Sequence, residues 1–270
     1  MPHTYNPPPT LVNDYVRDGA VVLRGVLSPD EVQVLAQGIE HNLQHLSPLA
    51  QVASQPDDPG RFVEDFCTWQ RNPYYAQIMR ESALPAVAAQ LMQSSTVRIY
   101  HDHLLVKEPG TRQPTPWHQD QPYYNVSGRQ NVSFWIPVDT VSIESTLRFV
   151  AGSHSGTWYM PRTFRDNQAK WFPDGTLAEL PPVDAQPERF RQLGWALQPG
   201  DVVAFHMLAL HASSGVSPGA RRRVFSVRYL GDDARHAVRP WRTSPPFAGL
   251  DQRLPDGAPM QDDCFPQVWP

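Results

Sequence analysis

The stretch TVRIYHDHLLVKEPG (residues 96–110) marks a change of pattern in the chain. It is a β-rich run that stops at Pro109–Gly110, the punctuation of a turn. Four similar runs follow: QNVSFWIPVD (130–139), TLRFVAGSH (146–154), GDVVAFHMLALHAS (200–213) and RRRVFSVRYL (221–230). Before residue 96 the reading is mostly helical. After a short strand in GAVVLRGVL (19–27), SPDEVQVLAQGIEHNLQHL (28–46) carries a helix start: Ser28 as cap, Pro29 in the first turn and Glu31 three residues after the cap. Val32, Leu35, Ile39, Leu43 and Leu46 then recur at helical spacing. A second helix is expected over PYYAQIMRESALPAVAAQLMQ (73–93), bent or broken at Pro85. Helices first and many short strands after predict an α+β fold, with helices packed on an antiparallel sandwich or barrel.

The bulk properties bound the function. The chain has 270 residues, enough for one domain with a sizeable core. Net charge is -4 with acids and bases mixed. That leaves no basic stripe for nucleic acid and no membrane anchor, and points to a small-molecule partner. No stretch approaches the ~18 apolar residues of a membrane span, and the start MPHTYNPPPT lacks a signal-peptide pattern. Cys67 and Cys264 are the only cysteines, so no disulfide framework is expected and a reducing cytoplasm is the default. Proline, 29 residues in all, is concentrated in the first ten residues and after residue 239, which suggests extended tails. The region 155–194 is long, polar and proline-dotted, as a lid or binding loop would be.

The chemistry is concentrated in PTPWHQDQPYY (114–124). Side chains two apart on a strand share a face, so His118 and Asp120 converge if the segment is extended, with Gln119 pointing away. An imidazole and a carboxylate make two-thirds of a two-histidine, one-carboxylate metal site, or an ordinary buried hydrogen-bonded pair. A third ligand would come from His101, His103, His154, His206, His211 or His236. His103 could instead serve a buried network, and His154 reads best as a turn residue. His211 opens HASSGVSPGARRRVFSVRY (211–229), where a small-residue loop runs into an arginine-rich strand. Such a strand suits an anionic co-substrate, because arginine grips a carboxylate bidentately.

HQD, then VAGSH, then His211 with Ser213 two residues on and Arg222 eleven residues on, resembles the phytanoyl-CoA dioxygenase-like family. RDGAVVLRGVLSPDEV and HLLVKEPG resemble other parts of the same family, so the likeness runs from about residue 14 to residue 230. It implies a double-stranded β-helix, or jelly roll, with N-terminal helices packed on one face. The single domain, 1–270, would comprise a helical part at about 14–95, a core at about 97–231 with the 155–194 insertion, and an extended C-terminal tail. Cofactors implied are Fe(II), 2-oxoglutarate and O2. The resemblance makes His118, Asp120 and His211 the iron ligands, and Arg222 and Ser213 the partners of the 2-oxoglutarate distal carboxylate. Trp135 would line the co-substrate pocket, with Tyr100 near it. Val216 stands where the family often has asparagine, which puts a loop hydrogen bond in doubt. Asp120, where related halogenases have a small residue, argues for hydroxylation or another oxidation and against halogenation.

The implied activity is a 2-oxoglutarate-dependent dioxygenase hydroxylating a C–H bond of a small metabolite or natural-product intermediate, with release of succinate and CO2. Desaturation or ring formation by the same chemistry is the alternative. A cupin-like binding module without turnover is another, and it would not need the Arg222–Ser213 clamp. Substrate walls are expected from the 155–194 segment and from RFVEDFCTWQR (61–71), with Tyr123, Tyr124, Trp69, Trp158, Tyr159 and Trp171 as candidates. Arg148 could meet an anionic substrate or pair on the surface. Oligomeric state is not legible.

Overall fold

A computed structural model describes residues 3–54, 57–161, 175–216 and 219–270. In chain order the elements begin with α1 (Pro9–Asp18), β1 (Ala20–Leu23), α2 (Pro29–Gln44), β2 (Gln51–Val52), β3 (Phe62–Phe66), α3 (Pro73–Glu81) and α4 (Leu84–Met92). The strand-rich half holds β4 (Val97–Lys107), β5 (Thr115–His118), β6 (Val126–Ser127), β7 (Asn131–Pro137), β8 (Leu147–Val150), β9 (Gln192–Leu193), β10 (Val202–Phe205), β11 (His211–Ser213) and β12 (Arg222–Leu230). β13 (Arg235–His236), α5 (Leu250–Arg253) and β14 (Gln267–Trp269) close the chain.

The fold is α+β, with N-terminal helices on a double-stranded β-helix core. The major sheet runs β1-β10-β7-β12-β4-β3-β2, with β14 added beside β4, and the minor sheet runs β5-β11-β8-β9. All the named strand pairs are antiparallel. Strand alternation sorts the two faces of the major sheet. Phe134 and Ile136 of β7, and Phe225, Val227 and Tyr229 of β12, join Leu35, Ile39, Ile78 and Val87 of the helices in one core. Trp135, Val203, Phe205 and Val224 face the other way and meet Leu147 and Phe149 of the minor sheet.

Helix α2 starts with the expected capping box, Ser28 and Glu31 bonding each other's backbone amides. It stops at Gln44, so Leu46 lies beyond it and is exposed. The second helix breaks at Ser82–Ala83, and Pro85 sits in the first turn of α4, where its missing N–H costs nothing.

Both proline-rich ends depart from the expected extended tails. Pro9 opens α1, whose end is capped by Gly19 at φ 77. That conformation favours glycine, and the His154 ring packs so closely that a Cβ would lie 2.3 Å from its Nδ1. At the other end, Leu250, Leu254, Met260 and Phe265 fold back to form a core with Tyr100, Tyr123 and Tyr124.

Candidate metal centre and co-substrate pocket

Pairing of β5 with β11 sets His118 directly opposite His211. Their ring centroids are 4.1 Å apart. Asp120 arrives differently from the expectation of one extended face. The strand ends at His118, and Asp120 has helical dihedrals (φ -74, ψ -44) at the start of a 3-10 turn. The amides of Asp120 and Gln121 both donate to Met207 O, at 2.8 and 2.9 Å, which ties the turn to the segment before β11. Gln119 points away as expected. It anchors the following loop by donating to Thr157 O and Leu208 O and accepting from Tyr159 N.

Each histidine is oriented by its other nitrogen. His118 Nδ1 donates to Pro116 O at 2.8 Å, and His211 Nδ1 donates to Ala209 O at 2.9 Å. Both Nε2 atoms are thereby turned toward Asp120. They lie 3.6 and 3.8 Å from Asp120 Oδ1. One ligand atom from each of the three residues fits within a 4.8 Å span, and all three residues are buried. Two imidazoles and one carboxylate on one face suit a non-haem Fe(II) site. Burial alone would raise the Asp120 carboxyl, but the Arg228 guanidinium and the two imidazoles outweigh it and hold it well below its ordinary value. His211 is pushed down to about 3, chiefly by burial and then by His118.

The triad lines a cavity of ≈ 530 Å³ between the two sheets. At one end sit Arg222, Ser213 and Trp135. The Arg222 guanidinium lies 5.5 Å from the Trp135 ring centroid, donates to Ser145 O, and reaches Ser213 Oγ at 3.4 Å. Burial lowers its pKa to about 10, and among the described residues no carboxylate neutralises it. Its neighbours face the helices, as alternation requires. Arg221 pairs with Glu40 and Glu108, and Arg223 with Glu40 and Asp139. A buried cation with an empty acceptor position is what a carboxylate co-substrate needs.

Several expected contacts are absent. Tyr100 is the extra residue of a bulge between β4 and β12, since Arg228 pairs with His101 and Tyr229 with Ile99. Its ring joins the C-terminal aromatic cluster, its hydroxyl donates to Asn125 Oδ1, and it does not line the cavity. Arg148 points outward from β8, between inward Leu147 and Phe149, and pairs with Asp184 at 3.1 Å. Trp69 lies on a separate surface groove with its ring 5.1 Å from the Arg80 guanidinium, and Trp158 stacks on Arg239. No described residue of 155–194 lines the cavity; residues 162–174, with Trp171, lie outside the described residues. Tyr123 and Tyr124 do line it. From the 61–71 stretch the lining residues are Glu64 and Phe66.

Arg228 was not anticipated. It lies on the inward face of β12 with Arg222, and its Nη2 donates to Asp120 Oδ2 at 3.0 Å. The only sequence signal was its even spacing from Arg222.

The phytanoyl-CoA dioxygenase (PhyH) family profile matches residues 15–224, and the chain belongs to that family. Its class is therefore that of iron- and 2-oxoglutarate-dependent oxidoreductases. None of the curated proteins matches the sequence. The fold is similar to that of the non-haem α-ketoglutarate-dependent carbocyclase SnoK from nogalamycin biosynthesis, at 23% identity and TM-score 0.76, covering 99% of both chains. It is also similar to the epimerase SnoN in complex with Fe3+, α-ketoglutarate and nogalamycin RO (20%, TM-score 0.73, 96% of this chain and 98% of that one). EctD from S. alaskensis with 2-oxoglutarate and 5-hydroxyectoine shares the fold at 20% identity and TM-score 0.67, over 96% of this chain and 88% of that one. Among the described residues no helix is long and apolar enough to cross a membrane.

Proposed function

We propose that the protein is an Fe(II)- and 2-oxoglutarate-dependent dioxygenase that hydroxylates a C–H bond of a small metabolite or natural-product intermediate, releasing succinate and CO2. The observation that carries this reading is the convergence of His118, Asp120 and His211 in the same cavity as the unneutralised Arg222. A pure binding module would have no use for that second feature.

In this reading His118, Asp120 and His211 would hold Fe(II), which would supply oxygen activation and the oxidative decarboxylation of 2-oxoglutarate. Arg222 and Ser213 receive the distal carboxylate, and Trp135 walls the pocket. Pro116 O and Ala209 O fix the imidazole tautomers, so the chain need not reorganise when the metal enters. Arg228 keeps Asp120 ionised and occupies Oδ2, leaving Oδ1 toward the histidines. Enclosure between the sheets excludes water and strengthens each of these interactions.

A second reading, desaturation or ring formation without net hydroxylation, is supported by the carbocyclase built on the same fold. Anaerobic addition of Fe(II) and 2-oxoglutarate tests the common core. A weak visible charge-transfer band should appear and should be lost in His118→Ala; absence of a band at saturation in the wild type would refute the assignment. Mass spectrometry of product formed with stoichiometric succinate separates the two readings, since hydroxylation adds one oxygen and ring formation adds none.

A further inference from the structure

Strand β3 contains two adjacent buried acids, Glu64 and Asp65, 4% and 0% exposed. They face opposite ways. Asp65 turns toward the helices and is fully occupied: it accepts from Asn42 Nδ2, Ser47 N, Ser47 Oγ and Phe66 N. Its role in joining β3 to α2 is complete within the fold. Glu64 turns into the cavity and has one partner, His103 Nε2, which donates to Oε1 at 3.1 Å. Its second oxygen has no partner among the described residues. Buried carboxylates are normally satisfied, so the difference between neighbours on one strand points to a ligand.

The surroundings define that ligand. The Phe66 ring stacks on the His103 ring with centroids 4.0 Å apart. Tyr123 and Tyr124 line the same cavity. Burial lowers the His103 pKa, so it meets Glu64 as a neutral hydrogen-bond donor. Arg228 is already engaged with Asp120. Lys107 lies near Glu64, but burial pulls its pKa well down and its Nζ donates to Gln113 O and Ser214 O. The cavity thus combines an aromatic lining with one half-free acceptor, Glu64, and one buried cation that has no carboxylate partner among the described residues, Arg222.

We infer that Glu64, positioned by His103, is a specificity-determining residue that accepts a hydrogen bond from a hydroxyl or protonated amine on a ring-bearing substrate, and that this wall rejects carboxylate and phosphate groups. The inference rests on the oxygenase reading of the site and narrows its substrate class. An anionic group beside Glu64 would meet a carboxylate in a low-dielectric cavity, and an ether would offer its cavity-facing oxygen no donor.

A matched set of probes tests this: 2-tetralol, 2-aminotetralin, 2-methoxytetralin and tetralin-2-carboxylate, titrated anaerobically against the Fe(II)- and 2-oxoglutarate-loaded enzyme. Tryptophan fluorescence reports binding, and the visible band reports the metal site. The alcohol or the amine should bind at least about 10-fold tighter than the ether and the acid, as a hydrogen bond to a charged acceptor implies. In Glu64→Gln the preference against the acid should collapse while the visible band persists. Which donor binds tighter distinguishes the neutral from the ionised class. His103→Asn should weaken the preference without removing it. Binding of ether and alcohol alike, tighter binding of the acid, an unchanged preference in Glu64→Gln, or no binding by any probe would overturn the inference. Failure of the visible band with the probe preference intact would instead count against the oxygenase reading.

Discussion

His206 and His211 stand at the two ends of the same short segment, MLAL, and are alike by most measures. Both are buried, and burial pushes both down to about 3. What separates them is where their nitrogens go. His206 Nδ1 accepts from Leu208 N at 3.0 Å, and its Nε2 donates to Arg129 O at 3.1 Å, so both ring nitrogens are used inside the fold. His211 uses only Nδ1 and presents Nε2 to Asp120 and His118. A depressed pKa therefore marks burial in both, whereas an unspent lone pair in a cavity marks the functional residue.

The largest effect that follows concerns the metal. His211→Ala should abolish the anaerobic Fe(II)–2-oxoglutarate band. The loss of Fe(II) affinity should exceed the ~10–100-fold that removing a residue merely bonded to a ligand costs. His206→Ala should keep the band and lose stability instead, by about 1–3 kcal/mol for the unsatisfied backbone groups it leaves. Titration of Fe(II) by absorbance, with thermal melts of both variants, makes the comparison. Loss of the band in His206→Ala with the fold intact would erase the distinction.

The arginine run on β12 offers the same contrast between an occupied and an unoccupied group. Arg222→Met should raise the dissociation constant of 2-oxoglutarate about 10–100-fold, the worth of its charge-assisted bonds. Arg221→Met, which removes ion pairs on the helix side, should leave that constant unchanged and cost less than about 1 kcal/mol of stability. Isothermal titration with the metal-loaded proteins reads the first quantity and urea unfolding the second.

Arg228 sharpens the metal side further. Arg228→Met removes the donor on Asp120 Oδ2. Fe(II) affinity should fall about 10-fold, with the affinity for 2-oxoglutarate in the metal-saturated enzyme little changed. Equal losses in both would show that Arg228 contacts the co-substrate and does not act through Asp120.

What could be seen in the sequence follows the same division. His118 and Asp120 could be singled out as a pair by their two-residue spacing, although Asp120 lies in a turn and not on the expected strand, whereas Ser213 on β11 and Arg222 on β12 were picked out by the family resemblance. His211 was legible through its spacing to Ser213 and Arg222, although the pairing of β5 with β11 that brings it to His118 spans most of the core. Glu64 and Arg228 escaped because their roles depend on which strands become neighbours, β3 against β4 and β4 against β12, whereas His103 was expected in a buried network but without its partner Glu64. Tyr100, which the resemblance put near the pocket, is the extra residue of a bulge and packs into the C-terminal cluster. The proline-rich ends misled for a related reason. Pro9 begins a helix as readily as it begins a coil, and the C-terminal segment is ordered by packing on distant aromatics, not by its own propensities.

The smallest expected effect returns to the two histidines and is the one in which they should behave alike. Each has a folded pKa near 3 against an ordinary value of 6.5. Below pH 6.5 the unfolded chain takes up a proton at each that the folded chain refuses. Each histidine's contribution to stability is thus lost as pH falls from about 6.5, and the loss levels off near pH 3. At pH 5.5 the cost is about 1 kcal/mol per histidine. In metal-free protein, His206→Asn, whose Oδ1 can replace Nδ1 as acceptor for Leu208 N, should flatten the decline in urea stability between pH 7.5 and 5.5 by about that amount. His211→Asn should flatten it equally, although only that substitution destroys the metal band. A decline unchanged by His206→Asn would mean that the folded protein protonates His206 near pH 6.5. Its bond to Leu208 N would then have to open in that range, and the contrast between a closed and an open histidine would weaken with it.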